Sequence, residues 1–498
     1  MSNAVRRLIV VGGGAIAWIA ATAFMRAFRK DALEITVVDG GAPDDDPVGY
    51  WTLPSQRGIH SLLGVQETDL IAHTGATFKL ASEHVNWQGR DSRFLHAHGQ
   101  IGPQISGAPF YKLLLIESLA GRPESPEPYS LAAVAARLGR FARPMGSEKT
   151  LTSSFTYGFH LEAKSYVAYL REHARRLGVR RIDSPIANVT LSDGAIAALQ
   201  LSNGEEISGD LYLDCSGSKA QLMSCICAGE RDDWSGWLPC DRMLSTFTPA
   251  QSAPSAVTQT TAATAGWLWR APLANSGMAG YAYSSAFQSD DAALAELRMY
   301  APGESPAPVL RRFSSGRRRK CWEHNCVALG TAAVELEPLA GAELHFGQLG
   351  LATLIEIFPA HGVTAVERDE YNRVMAEQAD ALRDFTLAHY RAGPGRSGEF
   401  WEATRAERAP ARLTDKLDLF GANARIELLD FESFEELDWA WLLMGSGLRP
   451  DAIELQVRLR LESLTSQTLA TLRAQIQQLA ASMPRHIDYI KGQVVRPR

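Results

Sequence analysis

The chain has 498 residues, 46% of them apolar and 21% charged, with a formal net charge of −6. These are ordinary globular values, and they exclude a disordered, a collagen-like or a polytopic membrane chain. The slight acidity argues against nucleic acid or an anionic membrane as partner, since both select basic surfaces. Six scattered cysteines are too few for a disulfide scaffold, and as reduced thiols they place the protein in the cytoplasm.

In chain order, Arg6-Arg7 and the uncharged run Leu8 to Met25 have the flanks and length of a signal peptide or an anchor. The interior of the run says otherwise. Leu8-Ile9-Val10-Val11 predicts a buried strand, Gly12-Gly13-Gly14 a turn, and Ala15 onward a helix. Gly12, Gly14 and Ala17 have the G-x-G-x-x-A spacing of a dinucleotide-binding turn. Gly12 permits the bend, Gly14 lets backbone approach a pyrophosphate, Ala17 lets helix pack on sheet, and the helix N-terminus attracts phosphate. A second strand, Glu34 to Val38, ends at Asp39, where an acid can accept from ribose hydroxyls.

Two later strands also end in glycine. Leu211 to Asp214 runs into Cys215-Ser216-Gly217, and Asn325 to Leu329 into Gly330-Thr331. Junctions spread this widely suit FAD held by one domain with insertions, because an NAD domain closes within about 150 residues. Ser165 to Leu177 has helical apolar spacing, and Ala452 to Met483 reads as a long helix covering the substrate module or forming an oligomer interface such as a homodimer contact. Asp44-Asp45-Asp46-Pro47 and Gly121 to Pro126 are loops. The basic cluster Arg311-Arg312 and Arg317-Arg318-Arg319-Lys320 reads as a solvated or locally ion-paired face. His96-x-His98 has metal-like spacing but no third ligand, so no metal is expected. No hydrolase elbow is present.

The chain resembles the flavin-dependent tryptophan halogenases from Leu8 to about Pro450. The resemblance rests on Gly12-Gly13-Gly14-Ala15-Ile16-Ala17-Trp18, Gly75-Ala76-Thr77-Phe78-Lys79 with Asn86-Trp87, Trp267-Leu268-Trp269-Arg270-Ala271-Pro272, Gly280 to Ser285, Glu337-Pro338-Leu339 and Trp441 to Pro450. It implies FAD, supplied reduced by a separate flavin reductase, and molecular oxygen. Halide would be oxidised to hypohalous acid and carried to a second pocket. There Lys79 would hold or activate it beside an electron-rich ring: an indole, a pyrrole, a phenol or peptide-borne tryptophan. The cofactor residues so implied are Gly12, Gly13, Gly14, Ala15, Ile16, Ala17, Asp39, Ile186, Gly217, Gly330, Thr331 and Leu344. Trp267, Trp269 and His345 are candidates for the substrate pocket. Alternating tryptophans share one strand face, so a pair of core aromatics fits them equally.

The departures fall where the chemistry should be. The family pattern E-P-L-E-S-T-G reads here Glu337-Pro338-Leu339-Ala340-Gly341-Ala342-Glu343. Ala340 cannot take a proton, and loss of a positioned base costs about 10²–10⁴ in rate. Glu343 would set a carboxylate near the halide, a repulsion of roughly 4 kcal/mol at about 4 Å and an effective dielectric of about 20. Tyr50 also stands where the family has an acid. Three readings stay open: a halogenase whose base is Glu343, His345 or Glu83; an FAD-dependent monooxygenase that hydroxylates without halide; or a non-catalytic FAD-binding homologue.

The fold class expected is α/β: a Rossmann-like three-layer FAD domain from segments 1–45, 155–222 and 317–388, an inserted mixed β-sheet substrate module of 46–154 and 223–316, and a helical C-terminal cap over 389–498.

Overall fold

The computed structural model describes residues 4–28, 32–40, 48–145, 150–227, 230–303, 305–461 and 466–494. The loop predicted at Asp44 to Pro47 lies outside them. The chain divides into two compact units. One comprises 1–75, 161–235 and 310–380; the other comprises 76–160, 236–309 and 381–498.

The first unit is built on a six-stranded sheet. Its order is Trp322–Glu323, Cys326–Ala328, Leu211–Asp214, Arg7–Val11, Glu34–Val38, Arg180–Ile182. All neighbours pair in parallel except the antiparallel edge Trp322–Glu323. A parallel strand covered on both faces needs a continuous apolar run. Leu8-Ile9-Val10-Val11 supplies one, and all four residues are buried. The helix Ala15–Ala27 follows and packs against Ala163–Leu177 and Glu343–Glu356. Ala163–Leu177 ends at Gly178, whose φ of 97° is the left-handed cap glycine tolerates best. A small antiparallel sheet of Ile186–Ser192, Ala195–Leu201 and Glu206–Ile207 is tied to the loop before Cys326–Ala328. Asn325 accepts from Ile196 N at 2.9 Å and donates to Ile196 O at 3.0 Å.

In the second unit the two inserted segments merge into one mixed sheet. The strands Arg242–Thr248, Gly277–Tyr283, Gly266–Pro272 and Val257–Ala262 follow one another antiparallel. Val257–Ala262 then pairs in parallel with Ala81–Val85, which forms an antiparallel pair with Arg93–Ala97. Residues 381–498 belong to this same compact unit. Within the long C-terminal helix expected from the sequence, Leu455–Leu461 and Ser466–Ser482 are helical, and the residues between lie outside those described. Among the described residues no helix is long and apolar enough to cross a membrane.

Candidate active site

The glycine turn is shaped by close contacts. Gly12 has φ 135°, and a Cβ there would lie 2.3 Å from the Cys215 carbonyl oxygen, so no other residue fits. Gly14 precedes the helix Ala15–Ala27, which has no acidic residue in its first turn and no side-chain cap. Its leading N–H groups thus face outward at the positive end of the helix dipole. The Trp18 indole donates to Gly13 O at 3.2 Å and pins the turn from behind. Asp214, at the end of its strand, accepts from Ser216 N and Oγ and from Leu222 N and Met223 N. That carboxylate builds the turn that carries Gly217 at φ 83°.

The structure gathers several expected cofactor residues around Ile16. A Cβ on Gly330 would lie 3.2 Å from the Ile16 side chain, and one on Gly347 would lie 2.4 Å from it. Thr331 sits in the turn Gly330–Ala332, and Leu344 is buried in the first turn of Glu343–Glu356. Gly40 lies against Pro185, which brings Ile186 beside the end of the Asp39 strand. Asp39 is not the bare acceptor the sequence suggested. Arg181 Nε binds its Oδ2 at 3.0 Å, and Arg171 lies 4.0 Å away.

These residues fit a flavin dinucleotide. The strand ends and glycine turns leave a backbone cradle in which side chains are excluded. Two buried polar atoms, His345 Nε2 and Gln348 Oε1, also lack a protein partner, a condition that a polar ligand relieves. His345 Nδ1 bonds Ser55 Oγ at 2.9 Å, and burial lowers its pKa to about 4, so the ring is neutral. Neutral and tied to Ser55, it is a hydrogen-bonding group and a weak base.

The altered loop is ordered by a different logic from that of a T-G pair. Pro338–Ala340 forms one short turn, and Gly341 follows at φ 69°. A Cβ on Gly341 would meet Trp51 O at 2.4 Å. Glu343 then opens the next helix, and its Oε1 lies 3.4 Å from Arg311 Nη1. Arg311, almost fully buried, also faces Glu335 at 3.7 Å. The repulsion expected from Glu343 is therefore offset by a guanidinium that the sequence placed only in a basic cluster. Arg311 lies 32 residues upstream, and nothing in the local pattern ties it to Glu343.

Lys79 lies in the second unit, in the strand Thr77–Lys79, which pairs antiparallel through Lys79↔Gly158. It is fully buried. Its Nζ donates to His98 Nε2 at 3.1 Å. Burial lowers the Lys79 pKa from 10.5 to about 7, and the Asp438 carboxylate opposes that fall. His96 Nε2 bonds Asp438 Oδ1 at 2.8 Å. The two histidines of the H-x-H spacing thus serve a lysine and a carboxylate. Glu83 is bound to Arg137 and Gln259 and lies 3.7 Å from Arg93. Burial pushes its pKa up, but these partners outweigh that and hold it below the usual value, which makes it a weaker base. Trp267 and Trp269 are both buried. Trp269 covers Gly280 across the strand pair, where a Cβ would lie 2.5 Å from its ring, and its indole points at Met243 Sδ. Packing alone accounts for Trp269. The basic cluster is ion-paired locally: Arg317 with Asp232 and Asp380, Arg319 with Asp232, and Lys320 with Glu323.

Fold and cradle together define a flavin-binding oxidoreductase. The chain belongs to the tryptophan halogenase family, whose model matches residues 7–462. Among solved structures it is similar to BrvH, a flavin-dependent halogenase from Brevundimonas sp. BAL3, at 33% identity and a TM-score of 0.93 over 99% of each chain. Xcc4156, a flavin-dependent halogenase from Xanthomonas campestris, matches at 32% identity and 0.93, again over 99% of each chain. The tryptophan 7-halogenase RebH of Lentzea aerocolonigenes is 28% identical over 91% of each chain.

Proposed function

We propose that the protein halogenates an electron-rich aromatic ring, an indole, pyrrole or phenol or a peptide-borne tryptophan, with Lys79 as the residue that presents the halogenating species. The observation that carries this reading is a lysine wholly enclosed by protein, hydrogen-bonded to a histidine and poised near neutral pH. At pH 7 such an amine is present in both forms. It can donate a hydrogen bond to hypohalous acid as an ammonium, and it can take up a proton as an amine.

The cofactor is FAD, held by Gly12 to Ala17, Asp39, Ile186, Gly217, Gly330, Thr331 and Leu344. Bound in reduced form from a partner flavin reductase, it supplies the activation of oxygen. The Arg311–Glu343 pair supports halide use, because the loop carries a paired carboxylate rather than a bare one. A cytoplasmic location agrees with the six free cysteines.

The test is an assay with reduced FAD, oxygen and bromide against an indole, pyrrole and phenol panel, read by mass spectrometry. Brominated product is expected. An oxygenated product whose yield ignores bromide would overturn the reading in favour of hydroxylation, the alternative that Ala340 and Ala342 suggest. Flavin bound without any product across the panel would favour a binding homologue.

A further inference from the structure

The second unit encloses many histidines, and their hydrogen bonds sort them. His160 bonds Thr77 Oγ1 and Thr258 Oγ1, each at 2.9 Å. His84 bonds Thr260 Oγ1, and His389 bonds Phe385 O. His486 accepts from Phe78 N and bonds Pro254 O. The bonds of these four go to hydroxyls or backbone, and His84 Nε2 has no hydrogen-bond partner among the described residues. His98 and His96 differ: the first meets the lysine and the second a carboxylate.

The two rings are neighbours at the end of one strand. His96 lies in the strand Arg93–Ala97 and His98 one residue beyond it, and their rings lie edge to face with centroids 6.1 Å apart. Asp438 is held by both its oxygens. Oδ1 takes His96, and Oδ2 accepts from Glu435 N at 2.9 Å in the capping box of the helix Glu436–Gly445. A carboxylate fixed twice is a preorganised counter-charge. The groups that act electrostatically on His98 are Lys79, His96 and His160, and burial keeps its imidazole neutral.

We propose that His98 is the proton partner of Lys79, and that the His96–Asp438 pair holds the positive charge the two share. The inference rests on the halogenation reading. In that reaction Ar–H and HO–X give Ar–X and water. The C–H and O–X bonds break, C–X and O–H bonds form, and the halogen is reduced as the ring carbon is oxidised. The Lys79 ammonium gives its proton to the departing hydroxide. The ring proton returns to the amine through His98 Nε2, so the dyad ends as it began. Ala340 provides no acid or base for this step. His98 relays that proton to Lys79 and also positions the amine.

The experiment uses the full chain in two measurements. The first follows the ionisation of Lys79 by NMR of isotope-labelled lysine without flavin, its signal assigned by loss in Lys79→Met. Asp438→Asn and His98→Phe should each lower the Lys79 midpoint by about one pH unit, because each removes a group that favours the ammonium. The second measures brominated product. His98→Phe should lose about 100-fold, the scale of a lost acid–base partner. His98→Gln separates the roles: its amide oxygen still accepts from Nζ, so the midpoint stays within about half a unit while the product loss persists. An unmoved midpoint in both Asp438→Asn and His98→Phe would overturn the proposal. So would full product yield from His98→Phe. If the wild-type chain makes no brominated product, the functional reading fails by itself, and the midpoints alone decide the dyad.

Discussion

Lys79→Met should stabilise the protein, and the gain should depend on pH in a way that only a buried amine explains. In the unfolded chain the amine keeps its proton up to the ordinary value of 10.5; in the folded chain it does so only up to about 7. Folding therefore releases a proton between those values, and the stability of the wild-type protein rises with pH across that window. At about 1.36 kcal/mol per pH unit, the cost of burying the group is about 5 kcal/mol at pH 6 and about 2 kcal/mol at pH 9. Methionine removes this cost but orphans His98 Nε2, a loss of about 1–3 kcal/mol for an unsatisfied buried acceptor. The net expectation is a gain of about 3 kcal/mol at pH 6 that shrinks by about the same amount at pH 9. Denaturant unfolding at the two pH values, with intrinsic fluorescence and circular dichroism followed together, measures the difference. A gain that does not change with pH, or a loss at both values, would show that Lys79 carries no desolvation penalty. The reasoning about its reactivity would then fall. A more stable and inactive variant would mark Lys79 as a residue kept for chemistry at the expense of stability.

Other perturbations probe the remaining elements. Gly12→Ala should abolish FAD binding, measured by flavin fluorescence quenching, because its methyl group would overlap the Cys215 carbonyl at 2.3 Å; wild-type affinity would refute the turn. Arg311→Gln strips the counter-charge from Glu343 and Glu335 and should destabilise by about 3 kcal/mol at pH 8. Denaturant unfolding at that pH measures the loss, and wild-type stability would contradict the assignment. Burial holds His60 and His389 at about 3 and His345 and His486 at about 4, and keeps His84, His98 and His160 below 6.5. Unfolding then takes up protons, and stability should fall as pH drops from 6.5 toward 4, by up to about 1.4 kcal/mol per unit for each histidine. Denaturation midpoints at pH 7 and pH 5 that coincide would refute it.

Local order was legible in the chain wherever its physical cause is local. Leu8 to Ala17 reads as strand, turn and helix because buried strands need apolar runs and Gly12 needs a positive φ, and both are properties of adjacent residues. The strand ends at Asp214 and Ala328 were readable for the same reason. The departures at Ala340 to Glu343 were visible as missing groups, yet the consequence drawn from Glu343 was incomplete. Its charge is answered by Arg311, which arrives through the fold. Trp267 and Trp269 stood out as a motif, and the contact of Trp269 with Gly280 shows how packing alone can require such a residue.

The sequence by itself determined the nucleotide-binding turn, because spacing along a strand or a turn is set by bond geometry, and its resemblance to the tryptophan halogenases pointed to Lys79. Tertiary structure decided what surrounds that lysine. Asp438 lies more than three hundred residues after His96, and no periodicity connects them. Only the folded chain brings a capping-box carboxylate, two alternating histidines and a desolvated amine into one interior, where the low dielectric makes each charge depend on the next.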